Sequence, residues 1–443
     1  LTLLLSVLVA VLATAPAGRA DDRRPVPVPL VTPAPELGVK GNAFNALPAD
    51  YDVGYEEREF LVSGMARPDD LSPVALVSLG APPATVPAIA PYTTRLLARW
   101  PTEGFNGTVV VEWLNVTSGY DVEASWAELH RHIVRDKYAY VGVTAQEVGA
   151  VGLKAFDPVR YATIEHPGDQ FSYDIFAQAV QAVRSNATVL GGRAADRVLA
   201  TGASQSGSAL NTFISNVAPK IERVIDGFLV LTSARALVAP DVPVLRVLTE
   251  SEAAADHPDQ DTFRDWEIAG ATHADKQGGE WFDRTHSRDW APGWPVTPRD
   301  QTFPSPCLIG SMPKYFVMHA ALDALNRWVV DRADAPPTSP QIAESADGSL
   351  ARDPITGNTL GGIRTPGVDA PVATYFGDKD QCAPTLGKTV PYDAAKLAAV
   401  HGTRAAYLDA VRRSADAAVA DGFLLPADAA EIVNAADASD ILR

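Results

Sequence analysis

Two serines stand in the run Gly202-Ala203-Ser204-Gln205-Ser206-Gly207, directly after the apolar Val198-Leu199-Ala200. This is the order of a nucleophile elbow: a buried strand, a sharp turn with a serine at its tip, and a helix that leaves at once. Such a turn tolerates only small residues two positions before and two after the tip; Ser204, between Gly202 and Ser206, fits and uses the glycine, while a frame centred on Ser206 would put Ser204 and Ser208 there and leave the glycine unused. Glycine is usual where Ser206 stands, so the pattern is G-x-S-x-small. Downstream, Ala209, Leu210, Phe213, Ile214 and Val217 share one helical face, which predicts a helix over 205–217 ended by Pro219. The unpaired amides of its first turn can hold a developing oxyanion. The run alone also suits a plain polar turn, so the chemistry depends on its partners.

A serine hydroxyl is a poor nucleophile until a base takes its proton and a carboxylate orients that base. In the α/β-hydrolase arrangement they follow in the order serine, acid, histidine. Asp265 to Gly270 reads as a strand followed by Ala271-Thr272-His273, which makes His273 the candidate base. His130 and His132 lie on an amphipathic helix, His319 inside an apolar one, and His166 in a turn able to border a pocket. The strand Val244 to Leu248 is followed by Glu250, Glu252 and Asp256. Alternation lets Glu250 and Glu252 share a face, so spacing does not choose the acid.

Several further runs carry a resemblance. They are Tyr92-Thr93-Thr94-Arg95, Phe105 to Val116, Tyr140 to Gln146, His166-Pro167-Gly168-Asp169, Trp266 to Gly270 with His273-Ala274-Asp275, and Gly361-Gly362-Ile363-Arg364. Together with the elbow they resemble the bacterial exported proteins of the "alpha/beta hydrolase domain" family, from about Tyr51 to the C-terminus. The resemblance implies the α/β-hydrolase fold with Ser204 as nucleophile and His273 as base. It places the acid on Glu252, where the family has Asp at the end of a Thr/Ser-Glu-x-Asp run; the departure keeps Glu250 open as an alternative. The mechanism implied is acyl transfer, with the oxyanion held by the N–H of Gln205 and one from the turn around Leu114 and Asn115.

Composition fits this reading. Lys and Arg number 37 against 54 Asp and Glu, a formal charge of -17. That argues against nucleic acid or an anionic membrane as partner and suits a neutral small-molecule ester or amide. No His/Cys/Asp cluster has metal-ligand spacing, and acyl transfer requires no cofactor. Leu3 to Ala13 is an apolar run too short for the ~20 residues of a membrane span. With the small residues that follow, residues 1–20 read as an export signal cleaved after Ala20 or Ala17, which directs the chain to the periplasm or outside the cell. The basic n-region is absent and the sequence begins with Leu, as a truncated or misread start would give. In an exported protein, Cys307 and Cys382 are expected to pair.

Apolar strands alternating with helices from 108 onward predict an α/β fold, a mostly parallel central sheet with helices on both faces. The organisation is a Pro-rich N-terminal arm over 21–50, a core over 51–334 and a mostly helical C-terminal extension over 335–443 packed on the core. Within the core, 275–307 reads as a loop whose aromatics either wall the substrate or glue the loop down. The function expected is an exported serine esterase; a peptidase or amidase on the same machinery, or an inactive binding protein, are the alternatives. Oligomeric state cannot be read from the sequence.

Overall fold

The computed structural model describes residues 23–36, 38–69, 86–235, 237, 240–253, 258–289, 308–377 and 385–443. The export signal over 1–20, Asp256, Trp290, Trp294 and the expected Cys307–Cys382 bridge lie outside the described residues.

Nine strands form one sheet: β1 (Leu30–Pro33), β2 (Tyr55–Ala66), β3 (Ala90–Pro101), β4 (Thr108–Trp113), β5 (Ala139–Val143), β6 (Arg197–Ala203), β7 (Gly227–Leu231), β8 (Val244–Thr249) and β9 (Phe263–Ile268). Their spatial order is β1-β2-β3-β5-β4-β6-β7-β8-β9. The first three are antiparallel, β3 meets β5 antiparallel, and every pairing from β5 to β9 is parallel. The parallel strands are near-continuous apolar runs because both faces are covered. Val109, Val111, Val198, Ala200, Phe228 and Val230 point to one face, while Val110, Leu199, Leu229, Leu231, Leu245 and Val247 point to the other.

The first face is covered by α3 (Ser172–Ser185) and α4 (Gln205–Asn216), through Phe176, Val180, Leu210 and Phe213. The second is covered by α1 (Ala124–Arg135), α5 (Lys276–Asp289) and α6 (Tyr315–Val330), through Trp126, Leu129, Trp281, Met318 and Leu322. A further helix, α2 (Glu147–Phe156), follows β5. The doubly covered, mostly parallel α/β sheet is therefore the architecture the alternation predicts.

Three segments differ from expectation. The Pro-rich arm is not wholly draped, since β1 adds to the sheet edge beside β2 and Arg24 bridges Ile221. The first half of the expected aromatic loop is α5, whose buried Trp281, Thr285 and Asp289 recur every four residues. The extension begins without long helices. It holds the short α7 (Pro366–Asp369) and the hairpin β10 (Ala373–Phe376) and β11 (Lys388–Pro391) before α8 (Ala394–His401), α9 (Arg404–Ala420) and α10 (Pro426–Ala438). Ile363 bridges Ile268 of β9 in parallel, and Phe423 packs edge-on to Trp266 at 5.0 Å.

Candidate active site

The strand order reverses between β4 and β6, because β5 pairs on the outer side of β4. A crevice opens there beyond the carboxyl ends of the strands, the place where open parallel sheets accept ligands. The loop after β4, Ser204 after β6, Glu252 after β8 and His273 after β9 all lie at that end.

The elbow is built as its residues require. Ser204 sits at φ 59° and ψ -116°, a strained backbone imposed by the tight turn. A Cβ on Gly202 would stand 2.8 Å from the Ser206 carbonyl oxygen, so no larger residue fits beneath the first turn of α4. Ser206 has a structural task. Its Oγ donates to the Ala203 carbonyl at 2.9 Å and accepts from the Ala203 N–H at 3.0 Å, closing the turn from within. It is fully buried, whereas Ser204 lines a cavity.

Ser204 Oγ lies 2.8 Å from His273 Nε2, and His273 Nδ1 lies 2.6 Å from Glu252 Oε1. The other carboxylate oxygen accepts from Thr249 N–H at 3.1 Å and Thr249 Oγ–H at 2.6 Å. Burial pushes the Glu252 carboxyl up, but the bonds from His273 and Thr249 outweigh it and hold the group below the usual range. An ionised Glu252 can only accept, so Nδ1 donates; in the neutral imidazole Nε2 then accepts from the serine hydroxyl.

Glu250 does something else. Its Oε1 accepts from Gly270 N–H at 2.6 Å, and its Oε2 from Gly377 N–H at 2.8 Å and Arg352 Nη2 at 3.3 Å. It ties the turn after β9 to the C-terminal extension and is turned away from the imidazole. Among the other described histidines, His166 is committed elsewhere: its Nε2 donates to the Ala145 carbonyl, and its Nδ1 accepts from Gly168 N–H. His130, His132 and His319 are buried helix-packing residues.

Asn115 needs a correction. Its N–H donates to the Val122 carbonyl at 2.9 Å, as half of a bridge that closes the loop after β4, and Leu114 N–H donates to Val143. Neither amide can meet an oxyanion. Val116 N–H is taken by Gln205 Oε1 and Thr117 N–H by Asn115 Oδ1, while Gly119 N–H goes to the Val116 carbonyl. Ser118 N–H donates to no other group of this loop, and Ser118 is exposed at the cavity rim. Asn115 serves the site through its side chain, which donates to the Ala203 carbonyl at 2.9 Å. Gln205 begins α4, and its side-chain amide donates to Gln146 Oε1, which also accepts from Trp113 Nε1.

The cavity holds about 240 Å³ and is walled by Val122, Leu231, Phe282, Ile309, Met318 and Leu386. Its polar lining includes Glu128, Asp275 and Lys314, which sequence reasoning missed. A glutamate on an amphipathic helix and a lysine before an apolar one carry no signal that they will meet. Among the described residues no group of His, Cys, Asp and Glu is placed to hold a metal ion, and no helix is long and apolar enough to cross a membrane.

No curated protein matches the chain significantly. Among solved structures it is similar to a zinc-bound cold-adapted esterase from an Arctic intertidal metagenomic library, at 13% identity and TM-score 0.26 over 55% of this chain and 84% of that one. It is also similar to a putative dienelactone hydrolase from Klebsiella pneumoniae, at 13% identity and TM-score 0.27 over 52% of this chain and 98% of that one. A PNB esterase is similar at 15% identity and TM-score 0.22 over 32% of this chain, which spans 29% of that longer protein. Likenesses of this size carry no argument about activity. The family described as "Alpha/beta hydrolase domain" matches residues 26–434, which take in every strand of the sheet, the crevice and almost all of the extension. The chain belongs to the alpha/beta hydrolase domain family.

Proposed function

We propose that this hydrolase is an exported serine esterase that cleaves small-molecule carboxylic esters through an acyl-enzyme. One observation carries the reading: Ser204, His273 and Glu252, from three separate strand ends, meet in a single hydrogen-bonded line at 2.8 and 2.6 Å. Ser204 Oγ attacks the carbonyl carbon as His273 Nε2 takes its proton, and Glu252 stabilises the imidazolium. The oxyanion is received at the N-terminus of α4 by Gln205 N–H and, from the loop after β4, by Ser118 N–H. His273 returns its proton to the leaving alcohol. Water, deprotonated in turn by His273, then releases the acid.

A fluorophosphonate probe followed by peptide mapping tests the nucleophile, with labelling of Ser204 expected. A panel of p-nitrophenyl esters against peptide anilides tests the bond cleaved. Anilide cleavage without ester cleavage would make the protein a peptidase, and no labelling with no turnover would make it a binding protein.

Export rests on residues 1–20 and is tested by fractionating cells that express the full sequence. The Cys307–Cys382 disulfide belongs to the same proposal. In its support, the flanking chain segments run side by side, with Thr389 N–H on the Leu308 carbonyl at 2.8 Å and Gly310 N–H on the Leu386 carbonyl at 2.9 Å. Non-reducing peptide mass spectrometry decides it.

A further inference from the structure

The cavity beside Ser204 has one wall whose charge does not cancel. Lys314 Nζ lies 2.7 Å from Glu128 Oε1 and 2.8 Å from Asp275 Oδ2, so two carboxylates share one ammonium. These residues come from α1, the segment after His273 and the residue preceding α6. Lys314 and Asp275 are sealed, each with side-chain exposure of 1%. Glu128 keeps 10% and is the least buried of the three, all of which line the cavity. Its Oε1 is paired with Lys314, whereas its Oε2 is buried without a hydrogen-bond partner.

With both carboxylates ionised the cluster carries one net negative charge inside a largely apolar enclosure, a costly state unless a proton or a cation compensates it. Burial, with Asp275 beside it, pushes the Glu128 carboxyl up to about 7, against the pull of Lys314. A structural clamp alone would need only one carboxylate for the lysine. The second one leaves a place for positive charge in the cavity that holds the reacting serine.

We propose that the cavity binds the cationic end of its substrate at Glu128, the substrate being a small ester that carries a protonated amine. This rests on the esterase reading for the word ester, but the binding of a cation does not. A substrate ammonium would take over the compensating role of the proton on Glu128 and donate to its carboxylate. A carboxylate in the same position would be repelled by the ionised cluster, and a neutral alkyl or hydroxyl end would leave the compensation to that proton.

The test is calorimetric titration of the whole chain with n-butylammonium, 1-butanol and butyrate, ligands matched in length. Fluorophosphonate labelling of Ser204 is then followed with and without each ligand. Butylammonium is expected to bind about tenfold or more tightly than 1-butanol, the worth of one charged hydrogen bond, and to slow labelling; butyrate is expected to do neither. Glu128→Gln should bring the ammonium-to-alcohol ratio to about one, since the Asp275–Lys314 pair that remains is neutral. Equal binding of ammonium and alcohol by the unaltered protein, or a preference that survives in Glu128→Gln, overturns the proposal. Should Glu128→Gln fail to fold, the ranking of the three ligands on the unaltered protein decides alone. If ammonium binds but Ser204 resists the probe, the esterase reading fails and the cation site stands. If Ser204 labels but ammonium shows no preference, the reverse holds.

Discussion

Glu250 and Glu252 lie two residues apart after the same strand, and exchanging each for glutamine separates them by opposite effects. In Glu252→Gln the amide must choose an orientation. The Thr249 backbone N–H, fixed at 3.1 Å from Oε2, demands an acceptor on that side and draws the amide oxygen towards it. The NH₂ group then faces His273 Nδ1, which must accept, and the proton moves to Nε2, where it faces Ser204 Oγ. That is the wrong tautomer for a base. The corresponding change in a Ser-His-Asp protease costs about 10⁴ in kcat, or ~5.4 kcal/mol of transition-state stabilisation. A loss of that order is expected here, with the fold kept.

Glu250→Gln leaves one of two fixed N–H donors, Gly270 or Gly377, facing an NH₂ group, and weakens the bond from Arg352. An orphaned buried donor costs about 1–3 kcal/mol, so the urea midpoint should fall while kcat stays within about tenfold of wild type. Glu252→Asp keeps the charge and should lie between wild type and Glu252→Gln. The assay is p-nitrophenyl acetate hydrolysis at matched folded fraction, beside urea unfolding followed by tryptophan fluorescence. A crippled Glu250→Gln beside an active Glu252→Gln would refute the assignment of the acid.

Three further outcomes follow from the site. Ser204→Ala should abolish hydrolysis. Ser206→Ala should retain most of it but lose about 1 kcal/mol of stability with the turn-closing bond to Ala203, as denaturant midpoints will show. Glu252 is held below the usual glutamate range, so its contribution to stability is present above that range and is lost only as pH falls through its lowered value. Glu252→Gln should therefore flatten the acid limb of stability in pH-dependent urea melts. Ser118→Pro, which removes the N–H assigned to the oxyanion, should cut kcat by about 10²–10³ while Ser118→Ala does not. Equal rates for the two would move that donor elsewhere.

What the sequence disclosed depended on the distance over which each feature is decided. The elbow is a local device, set by Gly202, Ser204 and the apolar face of α4, and was legible in full. The same holds for the alternation that gives the sheet and for His273 beyond a strand and a glycine. The choice between Glu250 and Glu252 is not local. Gly377, 127 positions away, claims Glu250, and nothing in Thr249-Glu250-Ser251-Glu252 foretells it. Asn115 was misjudged because its N–H is spent on Val122, which depends on how the loop after β4 closes. The helix α5 was read as a loop because Gly278 and Gly279 open it and its buried face mixes Trp281 with Thr285 and Asp289. In β1, Pro33 hides a strand at the sheet edge, where a missing N–H is tolerated.

The extension is bound to the triad more closely than an appendage would be. Ser251 Oγ donates to the Gly377 carbonyl at 2.5 Å, Thr272 Oγ to the Thr385 carbonyl at 3.0 Å, and Ala274 N–H to that same carbonyl at 2.9 Å. The residue before Glu252 and the residues on both sides of His273 are thus fastened to the extension, and Thr385 and Leu386 line the cavity. Gly377 is where the fit is tightest: a Cβ there would stand 1.8 Å from the Ala271 carbonyl oxygen and 2.8 Å from Glu250 Cβ. Backbone cannot yield to a methyl group at that distance, so Gly377→Ala must push the extension off the turn that carries His273. Overpacking of this kind costs about 1–3 kcal/mol, and it should displace the imidazole from Ser204 as well. The expected result is a lowered melting temperature with kcat reduced more than tenfold, roughly what a misplacement of about 1 Å costs. Ala370→Gly, seven positions earlier and buried against Tyr407 and Val411, is the control. It should lower the melting temperature and spare kcat. Full activity in Gly377→Ala would mean that the triad holds its geometry without the extension.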